Sequence, residues 1–402
     1  MRILYVAMKY DYGRPEQGES FEHWNFYDPL VRMGHSLLYF DFMTLLGALG
    51  REGMNRRLLD VARAEKPEVM FTILFRDELD PDVVRRISRD TGTVTVNWFC
   101  DDAWRFDDFT RRWAPCFNWA VTTAGSALPR YERIGMRNVI RSQYACNHDL
   151  YRRLDLPPLY DVTFIGQPHG NRREIVETLR GAGLRVATWG QGWESGRLTQ
   201  RQMIEVFNRS RINLNLANTS SPPPTLGERA RGAALRAAAA TLRRVPGSAP
   251  LRSLGRRLLF RRRPDRAGPA RPSVRPLGQP LGDDALDGSP FPSQMKGRNF
   301  EVPGCGGFLL TDPALELERF YEPDREVAVF RSLRDLVEKA RHYLAHEEER
   351  ASIAAAGHAR TLREHTYVHR FSEIFRTMGL PAESAEIILK TARPPGDTLE
   401  IR

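Results

Sequence analysis

Cysteine is scarce in this chain, and the four that occur, Cys100, Cys116, Cys146 and Cys305, stand alone with no Cys-x-x-Cys pair. A zinc site or a disulfide framework is therefore not expected, and a reducing compartment fits. Long apolar runs are also missing: none approaches the roughly 18 residues of a membrane-spanning helix. The first residues, MRILYVAMKYDYG, have a short apolar stretch but no small-residue cleavage site. They read as a first strand rather than a signal peptide, and the expected location is the cytoplasm. No internal repeat is visible. What is present is a chain of 402 residues, 41% hydrophobic and 10% aromatic. That composition excludes disorder of the whole chain and suits two domains of ordinary size.

The net charge of +10 is not spread evenly. Residues 222–290 carry 14 arginines, no lysine and five acidic residues, a net +9, so the rest of the chain is close to neutral. The excess describes one segment and gives no general case for specific nucleic-acid binding. The segment opens with three prolines and is rich in Arg, Ala, Pro and Gly. It reads either as a solvated basic loop or as short amphipathic pieces. In the second reading Leu251, Leu254 and Leu258 share a face beside Arg252, Arg256 and Arg257, suited to an anionic membrane surface at the inner face.

Short apolar strands alternate with helical patterns over residues 1–155. Strands are expected at Ile3–Met8, Ser36–Phe42, Val69–Leu74, Val94–Phe99 and Ala120–Thr123, and helices at Asn55–Ala64 and Pro81–Ser88. This is the signature of a parallel sheet covered on both faces, in which ligands sit at the carboxyl ends of the strands. Asp155–Leu159 reads as a linker. The pattern restarts with strands at Val162–Ile165, Leu184–Thr188 and Ile212–Leu216 and helices at Arg172–Arg180 and Gln202–Asn208. It resumes beyond the basic segment at Gln294. The expected class is α/β: two Rossmann-like domains facing a cleft, residues 1–155 and 160–380. The second is interrupted by 222–290, and residues 383–402 form a frayed tail.

Several constellations carry chemistry. In Lys296–Asp312, Glu301 lies one turn before Gly306-Gly307, and Lys296 and Arg298 precede it. A carboxylate there can accept both hydroxyls of a ribose, and basic groups beside it can neutralise a diphosphate. A plain helix–Gly–strand corner with a surface Glu explains the same spacing. Gly166-Gln-Pro-His169-Gly-Asn-Arg172-Arg173 follows a strand and opens a helix, where backbone N–H groups favour an anion; an ordinary helix start is the alternative. Gly190 and Gly192 in WGQGW are places where a ligand can approach backbone. Asp101 and Asp102 follow the strand TVNWFC, so either can take a proton from a substrate hydroxyl, or cap a helix. Gly18, Glu19 and Ser20 form the loop after the first strand, in contact with a substrate or simply on the surface. No ligand cluster for a metal is visible, and His35, His365 and Arg370 read as packing residues.

The run KGRNFEVPGCGGFLLTD, with ELERFYEPDREVAVFRSLRDLVEKARHYL and AGHARTLREHTYVHRF, closely resembles the C-terminal half of CgeB-like, spore-maturation-type glycosyltransferases of the GT-B superfamily. RMGHSLLYFDF, NWFCDDAWRF and DVTFIGQ extend the resemblance more weakly over 1–220, and 222–290 lies outside it. The resemblance implies a nucleotide-sugar donor on the C-terminal domain and an unidentified hydroxyl acceptor mainly on the N-terminal one. It implies no cofactor beyond the donor and no obligatory metal. Glu301 then matches the ribose-binding glutamate, the 166–173 loop lies near the donor diphosphate, and Gly190 and Gly192 lie near the base. Related retaining transferases carry a second Glu eight positions earlier; here that position is Ser293. Two rival readings are a non-catalytic nucleotide-binding protein of the same fold and a polyanion-binding protein acting through the arginine-rich segment.

Overall fold

A computed structural model describes residues 1–217, 294–382, 385–391 and 399–400; the 222–290 segment and Ser293 lie outside them. The first sheet contains β1 (Arg2–Ala7), β2 (Ser36–Asp41), β3 (Val69–Thr72), β4 (Val94–Phe99), β5 (Trp119–Thr122) and β6 (Val139–Arg141). The second contains β7 (Tyr160–Ile165), β8 (Val186–Trp189), β9 (Ser210–Asn215), β10 (Leu309–Thr311) and β11 (Ala328–Val329). A last strand, β12 (Leu399–Glu400), lies against β2, so the first sheet runs β12-β2-β1-β3-β4-β5-β6 and the second β11-β10-β9-β7-β8. Every pairing is parallel, with Ile3 opposite both Leu37 and Val69, and Val162 opposite both Val186 and Ile212. The two parallel sheets have the layout that the resemblance implied.

Strands covered on both faces read as near-continuous apolar runs, and β1 is buried from Ile3 to Ala7. Helix ends carry local signals. Asp80 accepts the amide of Asp82 at the start of Pro81–Thr91, and Gly92, at φ 74°, closes that helix. Thr199 and Gln202 form a reciprocal capping box for Gln200–Arg209. The helix expected from Asn55 starts at Phe42, capped by the Asp41 carboxylate, and bends at Gly50 (φ 68°) before ending at Glu65.

One face of the first sheet packs on Leu58, Leu59, Val84 and Ile87. The other packs on Phe26 and on Tyr367, Phe371, Ile374 and Phe375 of the helix Tyr367–Thr377. The chain therefore crosses back after the second domain and completes the core of the first. In the tail beyond Ala382, Ala385–Thr391 is helical and Leu399–Glu400 pairs with β2.

Candidate active site

Both sheets change strand order beside their central strand, between β1 and β3 and between β7 and β9. Ligands of open parallel sheets sit outside the strand carboxyl ends at such points. Here the two points face each other. A cavity of about 530 Å³ is lined by Met8 after β1, Leu74 after β3, Cys100 and Asp101 after β4, Gly166 after β7 and Leu216 after β9. A wider cavity of about 1550 Å³ continues from it between the domains. Arg197 crosses this wider part, pairing with Asp11 and bonding Gln17 at 3.3 Å.

Four cations line the smaller cavity: Arg105 on the first-domain side, and Arg172, Lys296 and Arg298 on the second-domain side. Arg172 opens the helix Arg172–Gly181 and is held by the carbonyls of Gln167 (3.2 Å) and Leu216 (2.6 Å). Burial lowers its pKa, and Asp312 opposes the shift. Lys296 is likewise lowered by burial, with Asp101 acting in the opposite sense. Its amide bonds the Asn299 side chain at 2.8 Å, which fixes the turn into the helix Arg298–Gly304. His169 also lines this cavity, and burial followed by the charge of Arg172 lowers its pKa. Arg173 does not line it: its guanidinium bonds the Gly192 carbonyl at 2.9 Å and lies 4.7 Å from the Trp193 ring centre. Its assignment to the donor is corrected on that ground.

Glu301 is fully buried. It pairs with Arg298 and accepts the Tyr151 hydroxyl at 2.9 Å. The carboxylate expected to meet a ribose thus lies one layer beneath Arg298. Gly297, which lines the cavity, packs close beside it: a Cβ there would sit 3.0 Å from the Glu301 Oε1 and 2.9 Å from Phe21. The other expected glycines divide. Gly306 and Gly307 line neither of these cavities but a 200 Å³ pocket with Arg153, Arg211 and Arg350. Space at Gly307 is taken by Asn213 and the Phe207 carbonyl, so packing and not a ligand excludes a side chain there. Gly190, at φ 138°, would place a Cβ 2.4 Å from the Gly166 carbonyl oxygen, and Gly192 would press on Pro168. These two glycines let the β7 and β8 loops touch; Gly190 also lines the wider cavity.

The two aspartates after β4 separate sharply. Asp102 is fully buried and accepts the hydroxyls of Thr110 (2.5 Å) and Tyr131 (2.7 Å). Burial pushes its pKa up, and hydrogen bonds from Thr110, Thr122 and Tyr131 oppose the shift. It lines none of the cavities described above, so its assignment as base is corrected to a tie inside the first domain. Asp101 lines the cavity and makes no side-chain capping bond; only its carbonyl serves the following turn, accepting from Trp104 and Arg105. On the acceptor side, Gly18 (φ 78°) and Glu19 line the wider cavity, and Glu19 lies 3.5 Å from His23. Ser20 is buried and donates to the Met8 carbonyl at 2.7 Å, which closes the loop on β1 and removes it from the site.

Glu22, two residues beyond Ser20, is a member of the site that sequence reasoning missed. It lines the cavity with Asp101, and burial pushes its pKa up to about 7, with Asp11 and Asp101 adding to the rise and Ser20 opposing it. A single acid in the first turn of a short helical stretch carries no signal of its own, and only the fold brings it to the strand ends.

Residues 172–266 and 289–376 match the family described as glycosyl transferase-like. The match runs through residue 266, so the stretch outside it within the expected insertion is far shorter than 222–290. No curated protein sequence matches the chain. Among solved structures, HepE of Anabaena in complex with UDP-glucose is similar over 94% of this chain and 99% of its own, at 10% identity and TM-score 0.55. The sucrose-phosphate synthase of Thermosynechococcus elongatus covers 94% and 99% at 9% identity and TM-score 0.53. A glycosyltransferase of Rickettsia africae covers 94% and 98% at 7% identity and TM-score 0.52. The chain therefore has the GT-B fold of two Rossmann-like domains.

Proposed function

We propose that the protein transfers a sugar from a nucleotide-diphosphate sugar to a hydroxyl acceptor. The observation that carries this reading is the convergence of Arg172, Lys296 and Arg298 on the facing strand ends of the two sheets. A diphosphate leaving group gains negative charge as the glycosidic bond breaks. Fixed cations and a helix start stabilise that charge without reorganisation. The glycosyl transferase-like match covers two of these residues and reaches the third at its first position. HepE was crystallised with UDP-glucose, which makes uridine diphosphate sugars the first donors to test.

In this reading the donor diphosphate lies between the Gly166–Arg172 loop and Lys296. Asp101, on the opposite wall, accepts the proton of the acceptor hydroxyl as its oxygen bonds the anomeric carbon and the diphosphate departs. Glu301 acts through Arg298, holding the guanidinium at the cavity wall. Because three side chains supply positive charge, transfer is expected to survive chelation. The CgeB-like subfamily and a hexose as the transferred sugar belong to the same proposal. The test is a product assay: incubation with UDP-glucose and a panel of UDP-, GDP- and dTDP-sugars, with and without EDTA. Release of the nucleoside diphosphate from one donor, dependent on Lys296, supports the reading. Retention of every donor intact contradicts it.

A further inference from the structure

A second recess opens off the cleft within the first domain. It has about 410 Å³, inside the roughly 300–1,000 Å³ of small-molecule sites, and is lined by Arg76, Asp77, Trp104, Arg105, Asp108, Phe109 and Arg112. Trp104 and Arg105 line both this recess and the smaller cavity. The recess therefore adjoins the smaller cavity at these two residues, and Asp101, which lines the smaller cavity, lies one helical turn earlier in the chain. We propose that this recess binds a pyranose ring of the acceptor, so that the acceptor is a saccharide. The inference rests on the glycosyl-transfer reading for its use, but the binding site can be tested without it.

Trp104 is 38% exposed among the described residues, although large aromatic side chains ordinarily bury most of their surface. An indole face left open beside a cleft offers an apolar platform to the C–H face of a sugar. Arg105 is not a loose neighbour. It donates to the Phe75 carbonyl at 2.9 Å and lies 4.2 Å from the Phe109 ring centre and 5.7 Å from that of Trp104. Arg76 lies 4.9 Å over the Phe75 ring, and Arg112 bonds Asp77 at 3.0 Å. The rim thus presents planar donors and planar acceptors together. Guanidinium and carboxylate groups span two atoms, which matches the adjacent hydroxyls of a pyranose. A lipid tail finds too polar a rim here. A purely anionic ligand meets the carboxylates of Asp77 and Asp108 as well as the arginines.

The experiment is saturation-transfer NMR with methyl hexopyranosides, maltose, cellobiose and lactose, on the full chain, with and without UDP. The wild-type protein is expected to saturate at least one of these sugars. Trp104→Ala and Arg76→Ala are expected to weaken that sugar about tenfold or more, and Arg76→Ala, which lines the recess but not the smaller cavity, is expected to leave UDP affinity unchanged. Both residues are at the surface, so loss of folding is not expected, and thermal melts check it. The recess is overturned as a sugar site if no saccharide of the panel binds, or if Trp104→Ala leaves binding intact. If saccharides bind through Trp104 while no nucleoside diphosphate binds, the recess stands and the donor reading falls.

Discussion

At the residue scale the sharpest contrast is between Asp101 and Asp102, neighbours in sequence with opposite environments. Asp102 is sealed under two hydroxyls, whereas Asp101 faces the cavity. Asp102→Asn should therefore lower thermal stability, by roughly 1–3 kcal/mol for a disturbed buried acceptor, while Asp101→Asn should lower turnover by about 10²–10⁴ with donor affinity retained. Chemical denaturation and steady-state rates on both variants check this. If Asp102→Asn removes turnover without touching stability, the roles are reversed. Glu22 gives a pH prediction. The folded protein holds its proton to about pH 7, while an unfolded chain releases it near 4.3. Folding therefore loses stability as pH rises through that window and levels off above it, a loss of a few kcal/mol at most, since each tenfold difference in proton affinity is worth roughly 1.4 kcal/mol. The groups facing it are Asp11, Asp101, Ser20, Tyr5, Tyr12, Tyr39 and Cys100. Glu22→Gln should flatten the melting temperature between pH 5 and 7 and melt higher than wild type at pH 8. An unchanged slope contradicts the assignment.

At the element scale the helix Arg298–Gly304 joins the two domains. Its Glu301 receives Tyr151 from the interdomain connection, and Gly304 packs so closely on Cys146 that a Cβ would lie 2.2 Å from its sulfur. Glu301→Ala leaves Arg298 without its buried partner, a change that typically costs about 3–5 kcal/mol. Unfolding midpoints should fall accordingly, with Glu301→Gln milder because it still bonds Tyr151. A stable Glu301→Ala protein would place the carboxylate at the ligand rather than in the frame. Strands β1, β3 and β4 were legible in the sequence because burial on both faces writes an apolar run. The strands β6 and β11, of three residues (VIR) and two (AV), are too short to write one. The first half of Phe42–Glu65 was hidden by Gly47, Gly50 and Gly53, since glycine lowers helix preference. That the helix Tyr367–Thr377 serves the first domain's core was not legible, because amphipathicity does not name a partner. In the site, Arg172 and Lys296 were legible from a helix start and a basic cluster. The burial of Asp102 and Glu301 was not, since neither spacing nor composition records what packs over a carboxylate.

At the scale of the whole molecule, two parallel sheets place their order reversals face to face, and the cations sit between them. No described helix is long and apolar enough to cross a membrane. The concentrated charge of 222–290 is the proposed route to an anionic surface, worth about 1 kcal/mol per arginine close to anionic lipid and screened by salt. Replacing Arg256, Arg257, Arg261, Arg262 and Arg263 by Gln should abolish co-sedimentation with phosphatidylserine vesicles at low salt. Persistent sedimentation removes the segment from that role. Whether the facing strand ends hold a nucleoside diphosphate is decided by calorimetric titration of UDP into wild type, Arg172→Gln and Lys296→Met. The wild type is expected to bind, and each variant to bind about ten- to a hundredfold more weakly, the cost of a lost charge-assisted contact of roughly 1.5–3 kcal/mol. Equal affinity in all three proteins, or no binding of UDP, GDP or dTDP by the wild type, would contradict a donor site at these cations.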